Sequence, residues 1–346
     1  MRVAALLFVV VTLFACRGGS GAAARVVIPP GVTFRAAADS LRRVRLISSS
    51  RLFRAYASFT GRDRALKPGT YVLARNMSWG ELIDALTEGR GIVHQFTIPE
   101  GWSIADMAPT IAAATGVPPD SILVAARDSS LRQSVGAETS SLEGYLFPDT
   151  YTFPDGAKAH GIVEALVRRF EDVWKPEWNV QLSKLALTRH ELITLASIVE
   201  KEARRPEERP VIAAVYLNRL KRGMRLQADP TVQYAIGKHV DRVLFRHLEI
   251  DSRYNTYRYS GLPPGPIASP GEASIVASLF PANVPYLYFV AHPDGHHEFR
   301  TTFAEHAAAI RAVRKEARER QAAREKQARA DSAAKRQARA DSAKKR

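Results

Sequence analysis

The spacing of hydrophobic and polar residues along the chain predicts several helices and a few short strands. Apolar residues recur at helical intervals in the stretches near 104–115, 121–126, 161–174, 190–203 and 211–222. Residues 285–302 instead alternate on both sides of Pro293-Asp294-Gly295, which is typical of a β-hairpin with a tight turn. Helices combined with local hairpins place the chain in the α+β class.

A segment that occurs twice suggests two lobes. IPPGVTFRAAA at 28–38 parallels IPEGWSIADMA at 98–108. Each reads as the end of a strand, a turn that contains glycine, and a hydroxyl residue, Thr33 or Ser103, that caps a helix. We therefore expect two successive lobes that begin in a similar way.

The first expected lobe covers residues 25–93 and the second, larger α+β lobe covers residues 94–312. Within the first lobe, Ser78 and Glu81 form a capping box, and Gly89 ends the helix that follows. The predicted order of strand, two helices and strand occurs in sugar-polymer binding modules of the LysM type. We predict a small LysM-like lobe in front of the larger one.

The N-terminus, residues 1–24, reads as a signal peptide or a membrane anchor. Arg2 precedes the apolar run VAALLFVVVTLFAC, which is short for a spanning helix and typical of an export signal. Cys16 is the only cysteine, so no intrachain disulfide can form. It lies in LFAC, which resembles a bacterial lipobox. Lipidation of Cys16, a plain signal peptide and a short anchor remain alternatives, and each places the working part outside the cytoplasm.

The positive charge is concentrated at the C-terminus. The formal net charge is +15, and residues 311–346 contribute +9 of it through fourteen Lys/Arg and five Asp/Glu. Residues 313–346 form a basic, low-complexity tail in which QARADSAAKR is followed by QARADSAKKR. We expect a solvated helix or a disordered segment. Since the charge lies in the tail, the composition is a weak argument for nucleic-acid binding, and we predict no nucleic-acid partner.

The most apolar predicted helix has a well-defined start. Thr188 and Glu191 form a capping box, which fixes the helical phase of LTRHELITLASIVEKEA. The helix is apolar over most of its circumference, so we expect it to be buried. Thr194, Ser197 and Lys201 share its more polar side.

Two glutamates end this helix on different faces. Glu200 falls on the apolar side, and Glu202 points away from it, because residues two positions apart do not share a helix face. A pair acting on one bond is therefore not expected. Burial would raise the pKa of Glu200 and keep a proton available near neutral pH. The alternative is a helix-end glutamate bonded to an arginine such as Arg204 or Arg205.

Two further stretches contain candidate binding residues. In LQADPTVQYA, Asp229 can cap a helix ahead of Pro230, and Gln227 can bind a sugar hydroxyl or simply lie on the surface. YNTYRYSGLPPGPIASPGEAS, residues 254–274, combines aromatic rings and amides with a rigid Pro/Gly loop. This loop suits a carbohydrate groove, or it is a well-packed rigid loop.

No cofactor or metal is predicted. His292, His296 and His297 straddle a tight turn, but the chain has no HExxH motif. It also has no glycine-rich phosphate loop and no GxSxG elbow.

Several stretches together resemble the endolytic murein transglycosylase (YceG-like) family. They are EGYLFPDTY, LASIVEKEA, VYLNRLKRGMRLQADPTVQYA, YNTYRYSGLPPGPIASPG and PYLYFVA, in order between Glu143 and Ala291. The resemblance implies a membrane-tethered enzyme, with its catalytic part facing the periplasm or the cell exterior, that cleaves nascent peptidoglycan strands. It implies that Glu200, which ends the ASIVE run, is catalytic. The residues that would position substrate are Tyr145, Gln227, Asp229, Tyr254, Asn255 and Tyr257.

The implied chemistry requires one carboxyl group. It would protonate the oxygen between N-acetylmuramate and N-acetylglucosamine and then accept the proton of the muramate 6-hydroxyl, which closes a 1,6-anhydro ring. The implied partners are glycan strands, the membrane and the machinery of peptidoglycan synthesis. The competing hypothesis is a non-catalytic glycan-binding or scaffold protein of the envelope, which would have no use for a buried acid.

Overall fold

A computed structural model describes residues 22–62, 66–237, 240 and 243–344. Of the predicted export segment 1–24, residues 1–21, including Cys16, lie outside the described residues, and the first strand begins at Ala23. The described residues form two compact units. One contains residues 22–95 and Thr152–Gly156, and the other contains Phe96–Tyr151 and residues 157–344.

The first unit begins with the order strand, helix, helix, strand that the sequence predicts. Strand β1 (Ala23–Ile28) pairs antiparallel with β2 (Gly69–Ala74), and β2 pairs antiparallel with β3 (Ile92–Thr97). With β4 (Thr150–Pro154) they form a sheet of order β1-β2-β3-β4. The elements before β4 are β1 (Ala23–Ile28), α1 (Phe34–Arg43), α2 (Ser50–Phe59), β2 (Gly69–Ala74), α3 (Trp79–Glu88) and β3 (Ile92–Thr97).

Local sequence signals explain these elements. Burial alternates along β1, so that Ala24, Val26 and Ile28 face the core, as the period of a strand requires. The capping box predicted at the start of α3 is present, since Ser78 and Glu81 each bond the other's backbone N–H. The core of this unit also contains Leu41, Phe53, Tyr71, Leu82 and Leu86.

The second unit is mainly helical. Its elements are α4 (Ile104–Thr115), α5 (Pro119–Ala125), α6 (Ser129–Val135), α7 (Ala159–Val173), α8 (Glu177–Leu185), α9 (Arg189–Glu202), α10 (Arg209–Lys221), α11 (Asp229–Ile236), α12 (Glu272–Leu279), β5 (Tyr288–Ala291), β6 (His297–Arg300) and α13 (Phe303–Lys344). Strand β4 (Thr150–Pro154) lies where the chain passes between the units. Short 3₁₀ helices occupy Pro206–Glu208 and Phe245–Glu249.

The predicted α+β class is confirmed. Helix α4 has the predicted ends, and α5, α7, α9 and α10 differ from their predicted ends by one or two residues. The predicted hairpin is formed by β5 and β6, which pair antiparallel from Tyr288↔Arg300 to Ala291↔His297. Helices α6, α8 and α12 were not predicted.

Helix α9 is buried along nearly its whole length. It starts at the predicted capping box, and all residues from Leu192 to Val199 are buried. The expectation that Thr194 and Ser197 lie on a polar side is wrong, because both are at most 1% exposed. Their hydroxyls donate to the backbone oxygens of His190 and Thr194, which removes the cost of burying them.

The C-terminal helix α13 continues into the basic tail as far as Lys344. The predicted boundary between 94–312 and 313–346 falls inside this helix. Among the described residues, no helix combines the length and the apolar character needed to cross a lipid bilayer.

Candidate active site

A polar cavity of about 340 Å³ lies at the C-terminal end of α9, and we call it the Glu202 cavity. Helix α9 supplies Glu202, α10 supplies Tyr216 and Arg219, and the loop before α11 supplies Gln227. Its volume falls in the range of small-molecule sites. The lining residues are Glu202, Tyr216, Arg219, Leu226, Gln227, Asp229, Tyr257, Phe289 and His306.

Burial makes Glu202 an unusual carboxyl group. It raises the pKa of Glu202 to about 7, and the negative charge of Asp229 acts in the same direction. The hydroxyl of Tyr216 donates to Oε1 of Glu202 at 2.8 Å, and this bond and the charge of Arg219 oppose the shift in pKa. A carboxyl with this pKa carries a proton for much of the time near neutral pH, so it can serve as an acid and as a base.

Three of the predicted substrate residues meet at this cavity. Tyr257 donates from its hydroxyl to Oδ1 of Asp229 at 2.5 Å, and both residues line the cavity with Gln227. Asp229 is the first residue of α11, whose N-cap is Ala228, so the prediction that Asp229 caps this helix is wrong. Its carboxylate accepts the hydrogen bond of Tyr257 instead.

Gln227 has a strained backbone. Its φ of 51° lies in the left-handed region, which residues other than glycine rarely adopt. The backbone N–H of Gln227 donates to the carbonyl oxygen of Thr256 at 3.1 Å, and that of Ala228 donates to the hydroxyl of Thr256 at 3.0 Å. Such strain persists where the surroundings fix it, and it is common at functional sites.

Glu200 is engaged elsewhere, on the other side of the end of α9. Its Oε2 accepts hydrogen bonds from the backbone N–H of Gly271 at 3.1 Å and from the hydroxyl of Ser274 at 2.7 Å. Nη2 of Arg209 donates to Oε1 at 3.4 Å. The side chain is only 8% exposed, and Glu200 lines neither the Glu202 cavity nor the groove described below.

These contacts make Glu200 an anchor for the start of α12, whose N-cap is Gly271. This is the arginine-bonded arrangement that the sequence left open, with Arg209 in the place expected for Arg204 or Arg205. Glu100 lies beside it, with Oε2 3.9 Å from Nη2 of Arg209. Burial and the charge of Glu200 raise the pKa of Glu100.

Tyr145 and Asn255 have no exposed surface with which to bind a ligand. Tyr145 is fully buried, and its hydroxyl lies 2.8 Å from Nδ1 of His190. Asn255 is also fully buried and donates to the carbonyl oxygens of Leu248 and Ile250. Direct contact between either residue and a substrate does not fit this burial, and their hydrogen bonds instead hold loops in place.

A second recess lies beside Glu143, and we call it the Glu143 groove. Its volume is about 450 Å³, and its polar lining includes Ser103, Asp106, Glu143, Lys201, Gln233 and Tyr234. Tyr234 packs against the predicted substrate residue Tyr254, with ring centroids 4.8 Å apart.

Glu143 is a buried carboxyl at the N-terminus of α4. Its Oε1 accepts the backbone N–H of Ile104 at 3.1 Å, and its Oε2 accepts the hydroxyl of Tyr234 at 3.4 Å. Burial raises the pKa of Glu143 to about 8, and the negative charge of Asp106 adds to this shift. The two hydrogen bonds oppose it.

The raised pKa of Glu143 predicts that stability falls as pH rises. The folded state holds this proton up to about pH 8, whereas an unfolded glutamate with the usual pKa of 4.5 has lost it. The free energy of unfolding should therefore decline between about pH 5 and pH 8, by about 1.4 kcal/mol for each unit of pKa difference. Urea unfolding at several pH values measures this.

Glu143→Gln is the matched variant for that measurement. Glutamine keeps the shape and does not ionise, so the decline should be shallower than in the wild type. Glu202 contributes a decline of the same sign in both proteins, so the difference between them isolates Glu143. Equal slopes would show that Glu143 titrates normally.

The histidines near the β5–β6 turn have carboxylate partners. His292 lies 3.0 Å from Glu298, and His297 lies 2.6 Å from Glu208. Within the part of the chain that the structure describes, no group of three or more His, Cys, Asp or Glu side chains is arranged to hold a metal ion.

Comparison with known proteins identifies the family of this chain. A sequence model of the YceG-like family matches residues 26–312. The chain belongs to this family. It is 36% identical over 298 residues to an endolytic murein transglycosylase of Bacillus subtilis (strain 168). The aligned region covers 82% of this chain and 82% of that protein.

Two further relatives extend the comparison. An endolytic murein transglycosylase of Streptococcus pneumoniae serotype 2 (strain D39) is 31% identical over 297 residues, which covers 77% of this chain and 54% of that longer protein. The crystal structure of a yceG-like protein of Listeria monocytogenes is similar with a TM-score of 0.60 at 33% identity, covering 83% of this chain and 98% of that one.

Four residues at these sites were not among the site residues predicted from sequence. Glu202 was set aside in favour of Glu200, and Tyr216 and Arg219 were not considered. The helical phase showed that the two glutamates diverge, but it carried no signal for which face meets a cavity. Glu143 was quoted within EGYLFPDTY, but nothing in that stretch reveals that its carboxyl is buried.

Proposed function

We propose that this chain is a lytic transglycosylase that cleaves the glycan strands of peptidoglycan. One observation carries the proposal: Glu202, whose pKa burial raises to about 7, lines a polar cavity together with Gln227, Asp229 and Tyr257. The relatives named endolytic murein transglycosylase support the class of substrate and reaction.

Glu202 acts first as an acid and then as a base. Its proton passes to the oxygen between N-acetylmuramate and N-acetylglucosamine, and the bond from that oxygen to muramate C1 breaks. The carboxylate then accepts the proton of the muramate 6-hydroxyl, whose oxygen bonds to C1 and closes a 1,6-anhydro ring. Since the sugar supplies the nucleophile, no water is consumed and no second catalytic carboxylate is required, unlike in ordinary glycosidases.

The neighbours of Glu202 position the sugar. Tyr257 donates to Oδ1 of the exposed residue Asp229, whose Oδ2 can accept a hydroxyl group of the sugar. The exposed amide of Gln227 offers both a donor and an acceptor. These residues were predicted from sequence to bind substrate, and we propose that they do so around Glu202.

The sequence resemblance predicts Glu200 as the acid, but the contacts of Glu200 favour a different role. Three hydrogen bonds hold its carboxylate between Arg209, Gly271 and Ser274. A catalytic acid must reach a sugar oxygen, and a carboxyl group enclosed by these partners has no such access. We therefore assign the chemistry to Glu202 and the anchoring of α12 to Glu200.

The raised pKa of Glu202 predicts how activity depends on pH. Only the protonated acid can start the reaction, so kcat/KM should fall as pH rises through about 7, by roughly tenfold for each further unit. Rates of glycan cleavage between pH 5 and pH 9 measure this. A rate that is constant up to pH 9 would exclude Glu202 as the acid.

The setting of the enzyme also follows from the sequence. We propose that residues 1–24 tether it to the cell membrane, by lipidated Cys16 or by an apolar anchor, and that the catalytic part acts in the envelope. The LysM-like character of residues 25–93 would add affinity for glycan strands. The machinery of peptidoglycan synthesis is the proposed neighbour, because nascent strands arise there.

The lengths of the products test the proposed function. Purified full-length chain is incubated with long glycan strands, and the strands are sized by chromatography at intervals. An endolytic enzyme should shorten the average strand before small fragments accumulate. Binding with no change in strand length would instead identify a non-catalytic glycan-binding protein, and early release of disaccharides would identify an enzyme that acts from the ends.

A further inference from the structure

We propose that the Glu143 groove is a second glycan subsite, which binds an N-acetylated sugar ring of the strand adjacent to the bond cut in the Glu202 cavity. This inference rests on the proposed function. The mechanism above does not use the groove, although its volume of about 450 Å³ exceeds that of the Glu202 cavity.

The chain places the two recesses next to each other. At the end of α9, Lys201 lines the groove and Glu202 lines the cavity. At the start of α11, Pro230 lines the groove and Asp229 lines the cavity. Consecutive residues lie about 3.8 Å apart at their Cα atoms, so the two recesses share these two helix ends, and the proposed strand spans both.

The groove offers the contacts that an uncharged sugar needs. At neutral pH the buried carboxyl of Glu143 is protonated, so one oxygen can accept from Ile104 while the hydroxyl donates to an acetamido or hydroxyl oxygen. The half-buried amide of Gln233 adds a donor and an acceptor. The ring of Tyr234 gives an aromatic wall, which suits the apolar face of a pyranose.

The charges around the groove favour a sugar over the peptide stem of peptidoglycan. Among the described residues that line the groove, Lys201 is the cation, and its Nζ donates to the carbonyl oxygen of Gly101 at 3.1 Å. Asp106 lines the same groove and offsets that charge. The described lining residues therefore carry no net positive charge that would favour the carboxylates of a stem peptide.

Binding to the catalytically inactive variant Glu202→Gln separates the subsite from the chemistry. The probes are GlcNAc–MurNAc oligomers of defined length from which the stem peptides have been removed, and affinity is measured by calorimetry. Affinity should rise by about tenfold or more when the oligomer is long enough to reach the groove. Adding Gln233→Ala should reduce this gain and leave the affinity for the shortest oligomer unchanged.

Two substitutions of Glu143 test its role as a donor, both in the Glu202→Gln background. Glu143→Gln keeps an acceptor for Ile104 and a donor for the sugar, so the gain should persist at pH 7 and become independent of pH. With Glu143 intact, the gain should fall about tenfold by pH 9, as the protonated fraction falls. Glu143→Leu should lose the gain at every pH.

The other results overturn the inference. If affinity rises with oligomer length in Glu143→Leu and Gln233→Ala as much as without these substitutions, the subsite is excluded. If only strands that carry stem peptides bind, the groove is a peptide site. If the wild type fails to cleave but these variants change binding as expected, the subsite stands and the proposed chemistry falls. If the wild type cleaves glycan strands and the variants do not change binding, the proposed chemistry stands and the subsite falls.

Discussion

Replacing Glu202 with glutamine is expected to lower turnover on glycan strands by about 10²–10⁴-fold, the usual contribution of a general acid–base group. The lower limit is conservative, because Glu202 serves both half-steps. In the wild type the hydroxyl of Tyr216 donates a hydrogen bond to Glu202 at 2.8 Å. Glutamine retains an oxygen that can accept this bond, so the fold should survive. Steady-state cleavage rates, with circular dichroism and glycan affinity on the same samples, measure the effect.

Glu200→Gln is the matched control, two residues away on the same helix. It removes the negative charge beside Arg209 and weakens the bonds to Gly271 and Ser274, so it should lower the free energy of unfolding. Turnover of the folded protein should stay within a few-fold of the wild type. The opposite pattern, with Glu200→Gln inactive and Glu202→Gln near normal, would return the catalytic role to the residue that the sequence predicts.

Replacing Gly144 with alanine is expected to lower the free energy of unfolding by about 2–5 kcal/mol. Gly144 has a φ of +86°, and a Cβ at this position would lie 2.4 Å from Cβ of Pro266 and 3.2 Å from Cγ2 of Ile193. The ring of Pro266 cannot rotate away, so the backbone of one loop must move. Urea or thermal unfolding measures the loss.

Gly223→Ala separates steric contact from backbone strain. Gly223 also has a positive φ, of +66°, but no heavy atom lies within 4 Å of a Cβ built there. It should cost only the strain of the left-handed conformation, about 1–2 kcal/mol. Equal losses in the two variants would mean that Gly144 and Pro266 do not pack as the structure has them.

The elements that were predicted well are those with local signals. The capping box of Thr188 and Glu191 starts α9, and the turn at Pro293-Asp294-Gly295 joins β5 and β6, as expected. Both depend on residues a few positions apart, which a sequence shows directly. Helices α8 and α12 have only nine and eight residues and no side-chain N-cap bond. Such short segments depend on packing that a local pattern does not contain.

The predicted site residues coincide with the Glu202 cavity only in part, for a related reason. The residues Gln227, Asp229 and Tyr257 were recognised from their motifs, and the helical phase correctly separated Glu200 from Glu202. Which of the two glutamates meets a cavity is decided by partners distant in the chain, since Gly271 and Ser274 reach Glu200 from more than 70 positions away. No local pattern reports such a contact.

The products of wild-type cleavage test the central claim most directly. Purified peptidoglycan is digested in water enriched in ¹⁸O, and the new strand ends are analysed by mass spectrometry. Our account predicts ends of 1,6-anhydromuramate that carry no ¹⁸O, because the muramate 6-hydroxyl and not water attacks C1. Reducing ends labelled with ¹⁸O would contradict it, since they would show hydrolysis.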